Sequence, residues 1–212
     1  LLIYEKKSIF PFFFGIFLYI FEYFLHIISK GCENMSLKTI KIIGLIGIFI
    51  LCFPFHFIYD WFPNSLFSIF FPVNESIWEH MKLIYTSFVV FGIFDYLLLK
   101  KHNIKYNNFL LQLFIVPIIG IIIFLAIFIP IYNILGENML ITLTLLFLII
   151  LIEQIISYYL LRANNIKYQN IIGIIGIIVV YIIFGYLTYK PINNKIFFDE
   201  SNSKYGIDIY VK

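Results

Sequence analysis

Apolar residues run along this chain in blocks of about twenty, the length that crosses a bilayer as a helix, and each block closes on a short polar segment. The blocks cover 9–28, 40–59, 77–99, 109–132, 139–161 and 171–189. At 1.5 Å per residue such runs match roughly 30 Å of hydrocarbon. The ten-residue alternation of a membrane barrel is missing, so the spans are predicted to be helices. Pro117 and Pro130 fall inside the 109–132 block and predict a kink or a broken end there. Short connections make successive helices antiparallel neighbours. The predicted fold is therefore all-α, a polytopic transmembrane helix bundle with five core spans and one N-terminal hydrophobic segment. Residues 190–212 are polar with a strand-like finish and are expected outside the hydrocarbon.

Composition agrees with the pattern. With 62% hydrophobic, 21% aromatic and 13% charged residues in a chain of 212, and mean hydropathy +0.96, the protein lies outside the range of soluble globular domains. A net charge of +3 is too small to imply a nucleic-acid partner. Lys38 and Lys41, then Lys100, Lys101 and Lys105, then Arg162 and Lys167 flank alternate block ends, whereas 60–75 and the link containing Glu137 carry no cation. The positive-inside rule then predicts a multi-pass protein of the bacterial cytoplasmic membrane, with the 56–80 region and the C-terminus non-cytoplasmic. The Ile, Asn and Lys bias points to an AT-rich bacterial genome. Cys32 and Cys52 are too few for a disulfide framework and are expected to be inert.

The first 34 residues read differently from the rest. The first methionine is Met35, followed by a basic flank and a span, and Lys30-Gly31 back-translates to a purine-rich AAR-GGN shortly upstream. Residues 1–34 are expected to be an upstream reading-frame extension. The rival expectation is a real sixth span with Glu22 and His26 at i,i+4 spacing. The domain division is thus 1–34, a five-helix domain over 35–189, and a tail over 190–212.

Against this apolar background the segment 72-PVNESIWEHMK-82 concentrates polar chemistry. Ionisable groups in or beside membrane helices are costly, and they mark functional candidates. In 56-HFIYDW-61, His56 and Asp60 are one turn apart on one helical face. In 74-NESIWEH-80, Glu75 and Glu79 are expected on one face with Ser76 and His80 beside it. Ser76 and Glu79 also form a capping-box pattern, with Asn74 as an alternative cap. Capping accounts for one Glu but leaves His80, the other Glu and the His56/Asp60 pair unexplained. The modest 60–75 loop brings both groups to one membrane face. Two His with up to three carboxylates suit a divalent metal such as zinc, with His56, Asp60 and His80 as candidate ligands and Glu75 or Glu79 as candidate base. They suit equally an ion-pair network joining two helices, with Lys82 one turn beyond Glu79.

Elsewhere, Asp95 is expected to pair with Lys100 or Lys101 at the interface. Glu153, mid-span, is expected to face the bundle interior. Trp61 and Trp78 read as interfacial anchors, and Gly173, Gly176 and Gly185 as close-packing positions. No GxSxG, Walker A, HExxH, CxxC or GxGxxG is present.

From about Met35 onward the chain resembles a family of small bacterial integral membrane proteins, domain of unknown function 6512. The resemblance rests on 56-HFIYDW-61, on 71-FPVNESIWEHMKL-83, and on a tail carrying Pro191, 197-FFDE-200 and 205-YGI-207. It implies the architecture and no established activity. A tail on the outer side would let Asp199 and Tyr205 fold back over the His56/Asp60/Glu79/His80 face as a polar lid.

Three functions compete. A metal-dependent membrane hydrolase or transferase would act on a lipid or lipid-linked substrate from the bilayer. A small proton or cation transporter, or channel subunit, would use Asp60, Glu79, His80 and Glu153 as a path. A non-catalytic membrane module would use the cluster as a helix clamp.

Overall fold

The computed structural model describes residues 35–136 and 138–207, the backbone of 209–210, and Gly15, Tyr19 and Glu22 further upstream. Most of the 9–28 block, His26, Cys32 and Glu137 lie outside the described residues. The chain forms α1 (Leu37–Trp61), a short α2 (Ser65–Phe70), α3 (Ile77–Lys101), α4 (Phe109–Leu135), α5 (Met139–Arg162) and α6 (Gln169–Tyr189). All but α2 are long and apolar enough to cross a membrane. Their ends fall within a turn of the apolar block ends.

Side chains close several helix starts. Ser36 Oγ accepts the Thr39 amide (3.2 Å), Asn64 Oδ1 the Phe67 amide (3.0 Å), and Asn138 Oδ1 the Ile141 amide (3.2 Å). Helix α2 lies within the segment 60–75 expected as a loop, and its signal is the cap Asn64 followed by apolar residues. Helix α4 runs unbroken through Pro117 and Pro130 to Leu135, so the expected broken end is absent. Pro117 is buried among neighbouring helices, which make a proline-containing turn tolerable, whereas Pro130 is exposed near the end of the helix.

Helix α1 packs on α3 and α5, and α4 packs on the same two, which closes a four-helix ring. Helix α6 lies outside the ring against α4, and α2 packs on α6. Helix α3 is the most enclosed: 67% of its apolar window is buried, against 33% or less for every other span. Between lipid-soluble helices close approach, not water exclusion, supplies the attraction. A Cβ at Gly173 would meet the Leu110 carbonyl carbon at 2.3 Å, and one at Gly176 the Phe114 ring at 2.5 Å, so only glycine lets α6 sit this near α4. The outer faces carry exposed isoleucines such as Ile174, Ile178 and Ile182.

Polar groups inside the ring are few. Ser157 donates to Gln112 Oε1 (2.7 Å). Lys41 of α1 forms a buried ion pair with Asp95 of α3, which corrects the expected pairing with Lys100 or Lys101. Asp95 faces inward toward α1, whereas Lys100 is exposed and stands 4.9 Å over the Tyr96 ring. Glu153 is fully buried, packed against Gly120, and neither carboxylate oxygen has a hydrogen-bond partner. Cys52 is buried, its Sγ 3.4 Å from Ser87 Oγ.

After α6 the chain makes a 3₁₀ turn (Lys195–Phe197) and three short antiparallel strands, β1 (Phe198–Asp199), β2 (Lys204–Tyr205) and β3 (Ile209–Tyr210), in that order. This tail folds back over the start of α3. Trp78, read from sequence as an interfacial anchor, stacks on Phe197 with centroids 4.9 Å apart. Asn74 donates to the Gly206 carbonyl (2.8 Å), and Ile207 N–H to the Thr188 carbonyl (3.1 Å). Gly206 has φ +56°, and a Cβ there would lie 2.3 Å from Thr188 O.

Candidate metal centre

The end of α1 and the start of α3 meet beneath the folded-back tail. His56 comes from the last turns of α1 and His80 from the first turn of α3, and their Nε2 atoms are 3.0 Å apart. Glu75 precedes the N-cap Ser76, so it lies outside α3 and its side chain is not bound to helical periodicity. Its Oε2 lies 3.4 Å from His56 Nε2 and 3.5 Å from His80 Nε2. Tetrahedral zinc with bonds of 2.0–2.2 Å has ligand–ligand edges of about 3.3–3.6 Å. The two Glu75 edges, 3.4 and 3.5 Å, fall in that range, and the His56–His80 edge of 3.0 Å is shorter, a hydrogen-bond length. Among the described residues His56, Glu75 and His80 are the His/Cys/Asp/Glu group able to hold an ion.

The orientation of His80 is set from behind. Its Nδ1–H donates to the Ser76 carbonyl (2.8 Å), which leaves Nε2 as a lone pair aimed at the triangle. His56 Nδ1 is buried without a hydrogen-bond partner. The three side chains are 25–37% exposed, so the triangle is open on one side. Glu75 and His80 border a cavity of about 280 Å³, lined also by Phe124, Phe128, Tyr132 and Asp199. Lys195 stands at its rim, 5.3 Å over the Tyr132 ring and 4.0 Å from Glu200.

The segment 71-FPVNESIWEHMKL-83 thus supplies two of three donors and the cap that orients one of them. Residues 29–207 match the family described as Family of unknown function (DUF6512). The chain belongs to it. No curated protein and no solved structure matches. The DUF6512 match spans the whole centre and the tail as far as Ile207.

The other sequence candidates have different places. Asp60 is exposed and lies a turn past His56, about 6 Å further along α1, outside the donor triangle. Glu79 does not share a face with Glu75, because the helix begins only at Ile77. Its Oε2 accepts from Lys82 (2.5 Å) and from the Val73 amide (3.2 Å), and its Oε1 from Thr188 (2.9 Å). Lys82 also donates to Ser68 O (2.7 Å) and Thr188 Oγ1 (2.6 Å), which uses all three of its N–H groups. This buried set ties α3 to α2 and α6. The capping box is half formed: Ser76 Oγ accepts the Glu79 amide (3.3 Å), but the Ser76 amide goes to Asn74 Oδ1 (2.9 Å). The Lys82 charge draws Glu79 away from the return bond.

Asp199 is buried at the edge of the centre. Its Oδ2 accepts from the Glu75 amide (3.3 Å), and its Oδ1 from the Ser201 amide (2.9 Å) and hydroxyl (2.6 Å). Burial pushes its carboxyl up, but the bonds from Ser201, Asn202 and Glu75 outweigh that and hold it below the ordinary 3.8. Tyr205 donates to Asn193 (2.9 Å) and does not line the cavity. The Glu79–Lys82 pair is the buried ion pair that the spacing of the two residues allowed, and Lys195 at the cavity rim carries no sequence signal of its own.

Proposed function

We infer that this chain is a membrane-embedded protein that holds a divalent ion, zinc being the best fit, through His56, Glu75 and His80. The observation that carries this reading is the 3.0, 3.4 and 3.5 Å donor triangle. Three protein ligands beside an open cavity are the arrangement of a catalytic zinc site; structural sites are closed by four. Zinc in such a site polarises an ester or phosphoryl oxygen and activates water. The aromatic cavity wall and the Lys195 rim suit an amphiphile with an anionic group. The reading is a hydrolase or transferase acting on a lipid or lipid-linked substrate, with Glu75 as a ligand and not a free base.

The test is metal content by plasma mass spectrometry on the detergent-purified chain and on a His56→Ala/His80→Ala double variant that remains folded. One divalent ion per chain, lost in the variant, is expected. Metal-free protein after purification without chelators, and no uptake on adding zinc, would overturn the reading.

A second reading, a proton or cation path, draws on Glu153, whose two oxygens are unpartnered in the middle of the ring. Retained transport of protons or cations after Glu153→Gln in reconstituted vesicles would dismiss it.

A further inference from the structure

At the end of the bundle away from the His/Glu triangle, α1 and α5 leave a groove of about 490 Å³ open to the outside. Fifteen residues separate Lys41 from His56 on α1, about 22 Å of helix, so the two sites are at opposite ends. Ile42, Leu45, Leu151 and Ile155 make the apolar walls. Lys38 lies at the mouth, and so does Tyr158, whose hydroxyl accepts from Arg162 Nη1 (2.6 Å). Lys38 and Arg162 are exposed, and among the described residues neither has a carboxylate partner. Asp95 is taken by Lys41.

A second feature points to a ligand. Gln154 lines the groove, is 3% exposed, and has neither its amide nitrogen nor its oxygen hydrogen-bonded. A buried amide with no partner is costly. It lies one turn deeper than Tyr158, below the cationic mouth, with apolar walls beyond it.

Cations at the mouth, an unsatisfied amide a turn below them and a hydrocarbon trough are the order of groups along a phospholipid: phosphate, glycerol ester, acyl chain. We propose that the α1/α5 groove is a binding site for one anionic phospholipid, its phosphate held by Lys38 and Arg162, an ester carbonyl accepting from Gln154, and an acyl chain lying between Ile42 and Ile155. A zwitterionic lipid brings its own ammonium to the same two cations and binds less well.

The experiment places an indole at the groove by Tyr159→Trp in the full chain, reconstituted in phosphatidylcholine vesicles. Bromine-labelled acyl chains on phosphatidylglycerol or on phosphatidylcholine serve as quenchers. Trp61 and Trp78 lie at the opposite end, and the parent chain supplies their background. Phosphatidylglycerol is expected to quench the introduced indole with about fivefold or greater apparent preference, the size of one basic contact at a membrane surface. Lys38→Ala/Arg162→Ala on the same background is expected to lose the preference while phosphatidylcholine still quenches, which shows an intact fold. Equal quenching by both lipids, or a preference that survives the double substitution, would overturn the proposal. So would its abolition by excess inorganic phosphate, which marks a phosphate-ion site instead of a lipid site.

Discussion

His56 and His80, 24 residues apart in the chain, present their Nε2 atoms to each other at 3.0 Å, and Glu75 Oε2 closes the triangle. Two neutral imidazoles side by side gain little unless they share a proton or an ion. The carboxylate between them favours a cation there, either a shared proton or a metal ion.

Glu75→Gln is therefore expected to weaken zinc binding by at least about 100-fold, the upper range for loss of a supporting group alone. Asp60→Asn and Glu79→Gln should retain the ion. Competitive titration against a fluorescent chelator checks all three, and metal loss in the Asp60 variant with retention in the Glu75 variant would reverse the ligand assignment.

The Glu79–Lys82 pair is structural. Lys82→Met leaves a carboxylate buried beside Thr188 and is expected to cost about 3–5 kcal/mol, whereas Glu79→Leu/Lys82→Met should cost far less because no charge is stranded. Thermal or denaturant unfolding in detergent measures the difference. A double variant no better than Lys82→Met would show that the pair does more than fasten helices.

Tail docking depends on ionised Asp199. Because the folded chain holds this carboxyl below 3.8, its contribution is complete above that value and is lost as pH falls through the lower folded value. Protease cleavage of the tail should stay constant from neutral pH down to about 4 and rise only in stronger acid. Asp199→Ala should show the raised cleavage at every pH.

Gly173→Ala drives a methyl into the Leu110 backbone and is expected to destabilise by about 1–3 kcal/mol, the range for overpacking. Gly185→Ala, whose Cβ would meet a flexible Ile69 side chain at 3.3 Å, should be nearly neutral. Unfolding midpoints of the two variants, compared with the parent, decide it.

Glu153→Met removes two unpartnered buried oxygens and should raise stability by about 1–3 kcal/mol. A lower midpoint would mean that the carboxyl is bonded in the folded state and not idle.

The chain by itself determined the class and the spans, because a bilayer accepts only backbone that satisfies its own hydrogen bonds, and uninterrupted apolar runs of helix length leave no other solution. Met139–Arg162 could be read almost to the residue, since Asn138 caps one end and Arg162 closes the other. The sequence also located the polar cluster, because cost makes such residues rare in apolar surroundings. It offered Lys82 as a partner for Glu79 without excluding Glu79 as a base, and it could not choose whether Glu75 or Asp60 joins the two histidines. Those choices rest on where α3 begins, on a short α2 that supplies Ser68 O, and on a tail that returns from the far end of the chain to hold the Glu75 amide. Periodicity reports which residues share a face of one helix. Which faces meet is decided by packing between helices, where single glycines at 173 and 176 set the distance of approach.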